Sequence, residues 1–246
     1  MNAGDRLLGL IGQSMGGAKG QRTAGFSLLD VSGGASAVAG TFTAKTDGWY
    51  TVWMWGGGGG APLSGNTFAG GGGGGAAGRK AMFLKAGQQL PYSAAAYIPG
   101  TATDGNPSTL TLPDGSVLTA GGGKKGSITA GVVALGGLCS GPFDMMRKGG
   151  DGGTGTSSGI AGTAGLPGDF GAVAGAGGVA TGASAGGGGG SAGFSDVNPD
   201  LAGGAGATAV SGAVSATSPG GGLSGGSNGA GISGAGRIVI ALSMTL

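Results

Sequence analysis

Trp49-Tyr-Thr-Val-Trp-Met-Trp55, running straight into Gly56-Gly-Gly-Gly-Gly60, displays the two materials of this chain side by side. In the first part Trp49, Thr51, Trp53 and Trp55 fall on one alternating face and Tyr50, Val52 and Met54 on the other. That pattern predicts a strand with both faces covered. The second part has no side chains at all. Glycine supplies 69 of the 246 residues and recurs in pure runs at 56–60, 70–75 and 186–190. Such a chain loses unusual backbone entropy on folding and has little to bury in return, so something other than a conventional core must hold its glycine-rich parts.

Outward from this stretch the strand signals continue. Phe26 to Val31 reads as a strand. Thr41 to Thr46, Asp47-Gly48 and Trp49 to Trp55 read as a hairpin about an Asp-Gly turn. Arg79 to Lys85 and Gln88 to Tyr97 read as a second pair about Ala86-Gly87, and Thr109 to Leu112 and Ser116 to Thr119 as a third about Pro113-Asp-Gly115. Strand signals then stop until Gly236-Arg-Ile-Val-Ile-Ala-Leu242. The expected fold is all-β: a β-sandwich or jelly-roll-like scaffold of residues 26–120 plus 236–246, preceded by an arm at 1–25 and interrupted by a glycine-rich region at 121–235. An unstructured loop of that length is improbable.

Within the interruption, glycine stands at 159, 162, 165, 168 and 171. Three residues per turn is the polyproline II repeat, and at about 3.1 Å per residue the run spans roughly 40 Å. Such a helix makes no internal hydrogen bonds, so its peptide groups need neighbouring strands. Glycine at every third position lets two backbones approach closely. The expectation is a polyglycine II bundle. Five in-phase glycines with a single proline among them do not make a collagen.

Composition excludes much chemistry. Only 9% of residues are charged, net charge is +2 and mean hydropathy is +0.24, unlike the charge-rich composition of most disordered chains. There is no histidine and every acid is aspartate, which removes the commonest general base and metal ligand. One cysteine, Cys139, allows neither an internal disulfide nor a cysteine zinc site. Eleven of the twelve bases and six of the ten acids lie in the first 150 residues. No dense basic cluster is interleaved with aromatics, so no nucleic-acid partner is expected. No secretory signal or membrane span is visible, which points to synthesis in a cytoplasm.

Apparent motifs dissolve on inspection. Gly12-Gln-Ser-Met-Gly16 and Gly182-Ala-Ser-Ala-Gly186 match a nucleophile elbow, but no histidine exists to activate either serine. The Trp strand and its glycine run imitate a dinucleotide-binding turn, yet the residues after Gly75 lead into another strand and not a helix. Asp196-Val-Asn-Pro-Asp200 opens like a calcium loop, but Leu201 replaces the required glycine and Ala207 the closing acid. No enzyme, cofactor or metal site is expected.

Two features point to binding. Leu7, Leu8, Leu10 and Ile11 are apolar on nearly every side and suit an attachment segment. Islands of large side chains interrupt the glycine: Phe143, Asp144, Met145, Met146 and Arg147; Leu166 to Phe170; and Phe194, Asp196, Asn198 and Asp200. They suit turns between glycine helices, either as plugs capping the bundle or as recognition groups on a rigid support.

The order of Trp49 to Gly60, Gly70 to Lys85, Leu112 to Gly123 and Gly234 to Ile240 resembles the glycine-rich domains of bacteriophage tail fibres and adhesins. The resemblance frames residues 40–240 and leaves 1–25 unmatched. It implies a virion location, a β-scaffold, packed polyglycine II helices and distal loops that contact a host receptor. The apolar arm, outside the resemblance, is expected to attach through the N-terminus to another fibre or spike protein, and the resemblance implies a homo-oligomer such as a trimer. The Gly-x-x field is also similar to that of the snow flea type of antifreeze protein, which leaves an ice-binding reading open. A purely structural virion component is the third.

Overall fold

The computed structural model describes residues 25–62, 70–100, 102–129, 131–155, 215–216, 219–222 and 231–243. Within them lie ten strands: β1 (Gly25–Ser32), β2 (Val38–Thr43), β3 (Gly48–Trp55), β4 (Ala77–Leu84), β5 (Gln89–Ala94), β6 (Ser108–Thr111), β7 (Val117–Ala120), β8 (Cys139–Ser140), β9 (Met145–Arg147) and β10 (Arg237–Ser243). They form two five-stranded antiparallel sheets, ordered β1-β10-β3-β4-β9 and β2-β5-β6-β7-β8. The all-β sandwich expected from the sequence is what the chain forms.

The core lies between the sheets. Tyr50, Val52 and Met54 of β3 and Ile238 and Ile240 of β10 point into it from one side. Leu90, Leu110 and Leu118 meet them from the other, and all of these are almost completely buried. Alternation dictates this facing, because the period of two puts every second side chain of a strand on one face. The Tyr50 ring meets Phe42 edge to face at 5.8 Å, and its hydroxyl donates to the Thr46 carbonyl at 2.8 Å. The tryptophans occupy the outer face of the first sheet, where Trp55, Ala77 and Val239 form a small second cluster with Trp53 and Met145.

Two expected hairpins are instead crossovers between sheets. Asp47-Gly48 was read as a tight turn pairing residues 41–46 with 49–55, yet β2 and β3 belong to opposite sheets. The arch carries Phe42 across the core, where it can pack on Tyr50. Ala86-Gly87 likewise links β4 to β5 across the sandwich. The two arches lock together: Ala44 N–H donates to Gln88 O (2.9 Å), Gly87 N–H to Ala44 O (2.8 Å) and Ala86 N–H to the Asp47 carboxylate (2.7 Å). The third hairpin forms as read. β6 and β7 pair about Pro113-Asp-Gly115, with Gly115 at φ +85°, a conformation that favours glycine.

The region 121–235 also departs from expectation. It contributes β8 to one sheet and β9 to the other, so strand pairing does not stop at residue 120. Conversely, residues 56–62 and 70–76, assigned by sequence to the scaffold, leave the sheet and enter a bundle of extended glycine segments. Gly56 N–H donates to Ala76 O (2.9 Å), Gly57 to Asn106 O (2.9 Å) and Gly58 to Gly234 O (2.9 Å). Gly59 then returns to the first neighbour at Gly73 O (2.8 Å), and Gly60 to the second at Thr103 O (2.9 Å). The opposing segment behaves alike. Gly70, Gly73 and Ala76 donate to Ser127, Lys124 and Gly121, whereas Gly71 and Gly74 donate to Gly153 and Gly150. Donor direction therefore rotates through the neighbours every three residues, the repeat of polyproline II geometry. The 159–171 run that prompted this expectation lies outside the described residues.

Every residue of 56–62 and 70–76 is buried, so what is buried is peptide. A Cβ built on Gly59 would collide with the Lys124 carbonyl, one on Gly123 with that of Gly73, and one on Gly72 with that of Gly59. Where bundle meets sandwich, the fully buried Ser108 hydroxyl donates to Trp55 O (2.6 Å) and accepts from Ala95 N–H (3.0 Å), tying the two sheets together.

Gly59→Ala and Gly123→Ala are each expected to lose about 2 kcal/mol or more in urea unfolding, because the segments must separate to admit a methyl group. Gly34→Ala, where nothing lies near the added carbon, should change stability by no more than about 0.5 kcal/mol. Equal tolerance at the three positions would contradict the packing described.

Candidate functional site

The registers give the sandwich two unlike ends. At one, Thr43 and Gly48, Leu84 and Gln89, Thr111 and Val117, and Ser140 and Met145 are joined by short arches and turns; β1 begins there at Gly25 and β10 ends at Ser243. At the other, the described parts of the links from Trp55 to Ala77, Ala94 to Ser108, Ala120 to Cys139 and Arg147 to Arg237 enter the glycine bundle. The bundle is thus an extension of one end, and the chain enters β1 at the opposite end.

On the bundle flank, residues 131–138 carry large side chains outward with a period of three. Val132, Leu135 and Leu138 are 45%, 55% and 67% exposed, whereas Ala134, Gly136 and Gly137 are buried. The threefold backbone explains the alternation: one residue in three faces out, and the intervening small ones admit neighbouring backbones. Gly137 N–H donates to Gly74 O, and Lys124 N–H to Leu135 O (both 2.8 Å). With the exposed Ile128 and Val133 they form an uncharged aliphatic ridge. Sequence reasoning missed this ridge because Val and Leu among Gly and Ala look unremarkable. Their spacing at 132, 135 and 138 was the available signal.

Aspartates finish the edge of the bundle. Asp104 accepts from Lys125 N–H (2.9 Å) and Lys124 Nζ (2.8 Å), and Asp151 accepts from Gly136 N–H (2.7 Å) and Lys148 Nζ. A short carboxylate stands in for the carbonyl that a further glycine segment would provide. Partial burial raises the Asp104 carboxyl, but the bonds and charges of Lys124 and Lys125 outweigh it and hold the group below its ordinary value.

The island at 143–148 is not a loop on the bundle. Met145, Met146 and Arg147 are the edge strand β9, paired with Ala77, Gly78 and Arg79 of β4. Phe143 packs against the sandwich core over Gly78, where a Cβ would strike its ring. Asp144 accepts from Ala81 N–H (2.7 Å) and Lys80 Nζ (2.8 Å). Burial raises its carboxyl, and those two bonds with the charges of Lys80 and Arg79 bring it below the ordinary value. Met145 and Arg147 are half-buried, and Met146 alone among the large apolar side chains of the island is well exposed, at 46%. The sheet edge captures these residues because Gly78 leaves room for Phe143 and Lys80 neutralises Asp144. Phe170, Phe194, Asp196, Asn198, Asp200 and the arm residues Leu7, Leu8, Leu10 and Ile11 lie outside the described residues.

No protein-family model matches the chain, and no curated protein matches it.

Cys139, at the start of β8, packs against the core, and burial pushes its thiol up to about 11 despite a hydrogen bond involving the Arg147 backbone. At pH 8 only about one thiol in a thousand is then ionised, against roughly a tenth or more in an unfolded chain. Alkylation by iodoacetamide at pH 8 should therefore run on the order of a hundredfold slower in the native protein than in denaturant. Equal rates would contradict the buried placement.

Proposed function

We propose that this chain is a non-enzymatic bacteriophage virion protein, a tail-fibre or spike adhesin that presents side chains on a glycine-rich support to a host receptor. The observation that carries this reading is the polarity of the sandwich. Its long connections leave together as a glycine bundle at one end, while β1 begins at the other. An arm entering at Gly25 would dock on a neighbouring fibre or spike protein, with the bundle directed away from the particle.

A bundle whose interior is peptide offers backbone rigidity and little chemical identity, so recognition must reside in the side chains at its surface. The aliphatic ridge of Val132, Leu135 and Leu138 joins Met146 in that role. Exposed apolar groups on a rigid frame favour protein contact. The receptor and the neighbouring copies of a homo-oligomer, a trimer by the tail-fibre resemblance, are the partners proposed.

The test is adsorption. Purified chain is expected to bind cells that the particle infects and to block adsorption. Leu135→Ser with Leu138→Ser and Met146→Ser should weaken binding at least roughly tenfold, since apolar side chains that become buried in an interface are each worth about 1 kcal/mol or more, without lowering the melting temperature. Deleting residues 1–22 should leave a folded chain that still binds cells and no longer joins the particle. A wild-type chain that incorporates into particles and binds no cells would contradict the adhesin reading and favour a purely structural component.

A further inference from the structure

On the outer face of the first sheet, strand register sets a row of small residues between two rows of large ones, a groove that shares only Met145 with the binding candidates above. One wall is the row of Phe83 and Trp49, paired across β4 and β3, half exposed, with rings edge to face at 6.0 Å. The other is the row of Met145, Arg79 and Trp53, paired across β9, β4 and β3. Position 49 is four residues from position 53, so the walls stand about 13 Å apart. The floor is the row of small residues between them, Ala81, Thr51 and Ala241. The Thr51 hydroxyl shares a hydrogen bond of 2.7 Å with that of Ser243, which lies in the Trp49 row.

Two acids, Asp30 and Asp144, border the groove, and each is held by a base. Asp30 is held bidentately by Arg237 at 2.8 and 2.7 Å. Arg79, partly buried, forms no ion pair within 4 Å among the described residues, although Asp144 lies close enough to feel its charge. Its Nε and the Nε1 of its cross-strand neighbour Trp53 are shielded from water and meet no acceptor among the described residues. Unpaired buried donors are each destabilising, so a small shift that opened them to an acceptor oxygen would be favoured.

The geometry points to an acidic saccharide as the occupant of this groove. Aromatic walls offer flat apolar faces to the C–H side of a sugar ring, the hydroxyl floor matches its rim, and Arg79 supplies a charge-assisted partner for a carboxylate. A nucleic-acid strand would require several unpaired cations along its path, and the groove provides one. The proposal rests on the adhesin reading only in taking the sugar to come from a host surface.

All three tryptophans of the chain lie on this face, so intrinsic fluorescence reports occupancy directly. The probes are glucuronic-acid oligosaccharides and the same oligosaccharides with their carboxylates reduced to alcohols. A saturable fluorescence change is expected with the acidic form, roughly tenfold weaker with the reduced form, and roughly tenfold weaker for Arg79→Gln. Lys45→Gln, at the arch, should bind as the parent does. Melting curves establish that the variants fold; if Arg79→Gln melts early, Phe83→Ser on the exposed wall serves in its place. No saturable change with either sugar, equal affinity for both, or a response only to a single-stranded oligonucleotide would overturn the assignment. Cell binding retained alongside such a failure would leave the adhesin reading standing and remove the groove from it.

Discussion

The structure depends on peptide groups hydrogen-bonding to peptide groups at distances that no side chain permits. In residues 56–62 and 70–76 the buried material is backbone, and the carbonyl of one segment sits where a Cβ of the next would be. A buried amide without a partner is costly, so a glycine segment is stable only when neighbours receive its N–H groups in all three directions of a threefold helix. That requirement explains why the segments occur together, why glycine dominates them, and why aspartates finish the edge where neighbours run out. It also explains why a conventional sandwich is needed. Glycine loses the most entropy on ordering, and the strands fix where each segment starts and returns.

Much of the scaffold was legible from residue patterns. The alternation in 49–55 and the β-branched run at 237–242 place β3 and β10, and Pro113-Asp-Gly115 places the β6–β7 turn, because each depends on local chemistry. Sheet membership was less legible. Asp47-Gly48 and Ala86-Gly87 suit a hairpin and an arch equally well, and the choice falls to Phe42 meeting Tyr50 across a core that only the folded chain possesses. The role of Gly56–Gly60 and Gly70–Gly75 was hidden for a related reason. An unbroken glycine run has no period, so its threefold character exists only in the partners it finds. Of the candidate site, Met145 to Arg147 look like a loop among glycines because their strand partner, β4, lies far away in sequence.

A support of this kind separates structure from recognition. The bundle interior tolerates little variation, since nearly every added atom would collide with backbone. Outward positions such as Val132, Leu135 and Leu138 are free of that constraint and can change without moving the frame. The outer face of the first sheet follows the same division. Tyr50, Val52 and Met54 hold the core, while Trp49, Thr51 and Trp53 on the other side of the same strand are open to different use. A surface free to vary on a frame that is not is the arrangement the proposed adhesin role would use.

The central claim is that the glycine segments form a cooperative part of the native structure held by their own amides. Native-state hydrogen exchange of Gly57 to Gly60, Gly71 and Gly73 to Gly75, resolved by residue, tests it most directly. These amides are expected to exchange only with global unfolding, with protection equal to that of Val52 and Ile240 in the sandwich core. Exchange near the rate of an unstructured chain, while Val52 and Ile240 stay protected, would contradict it.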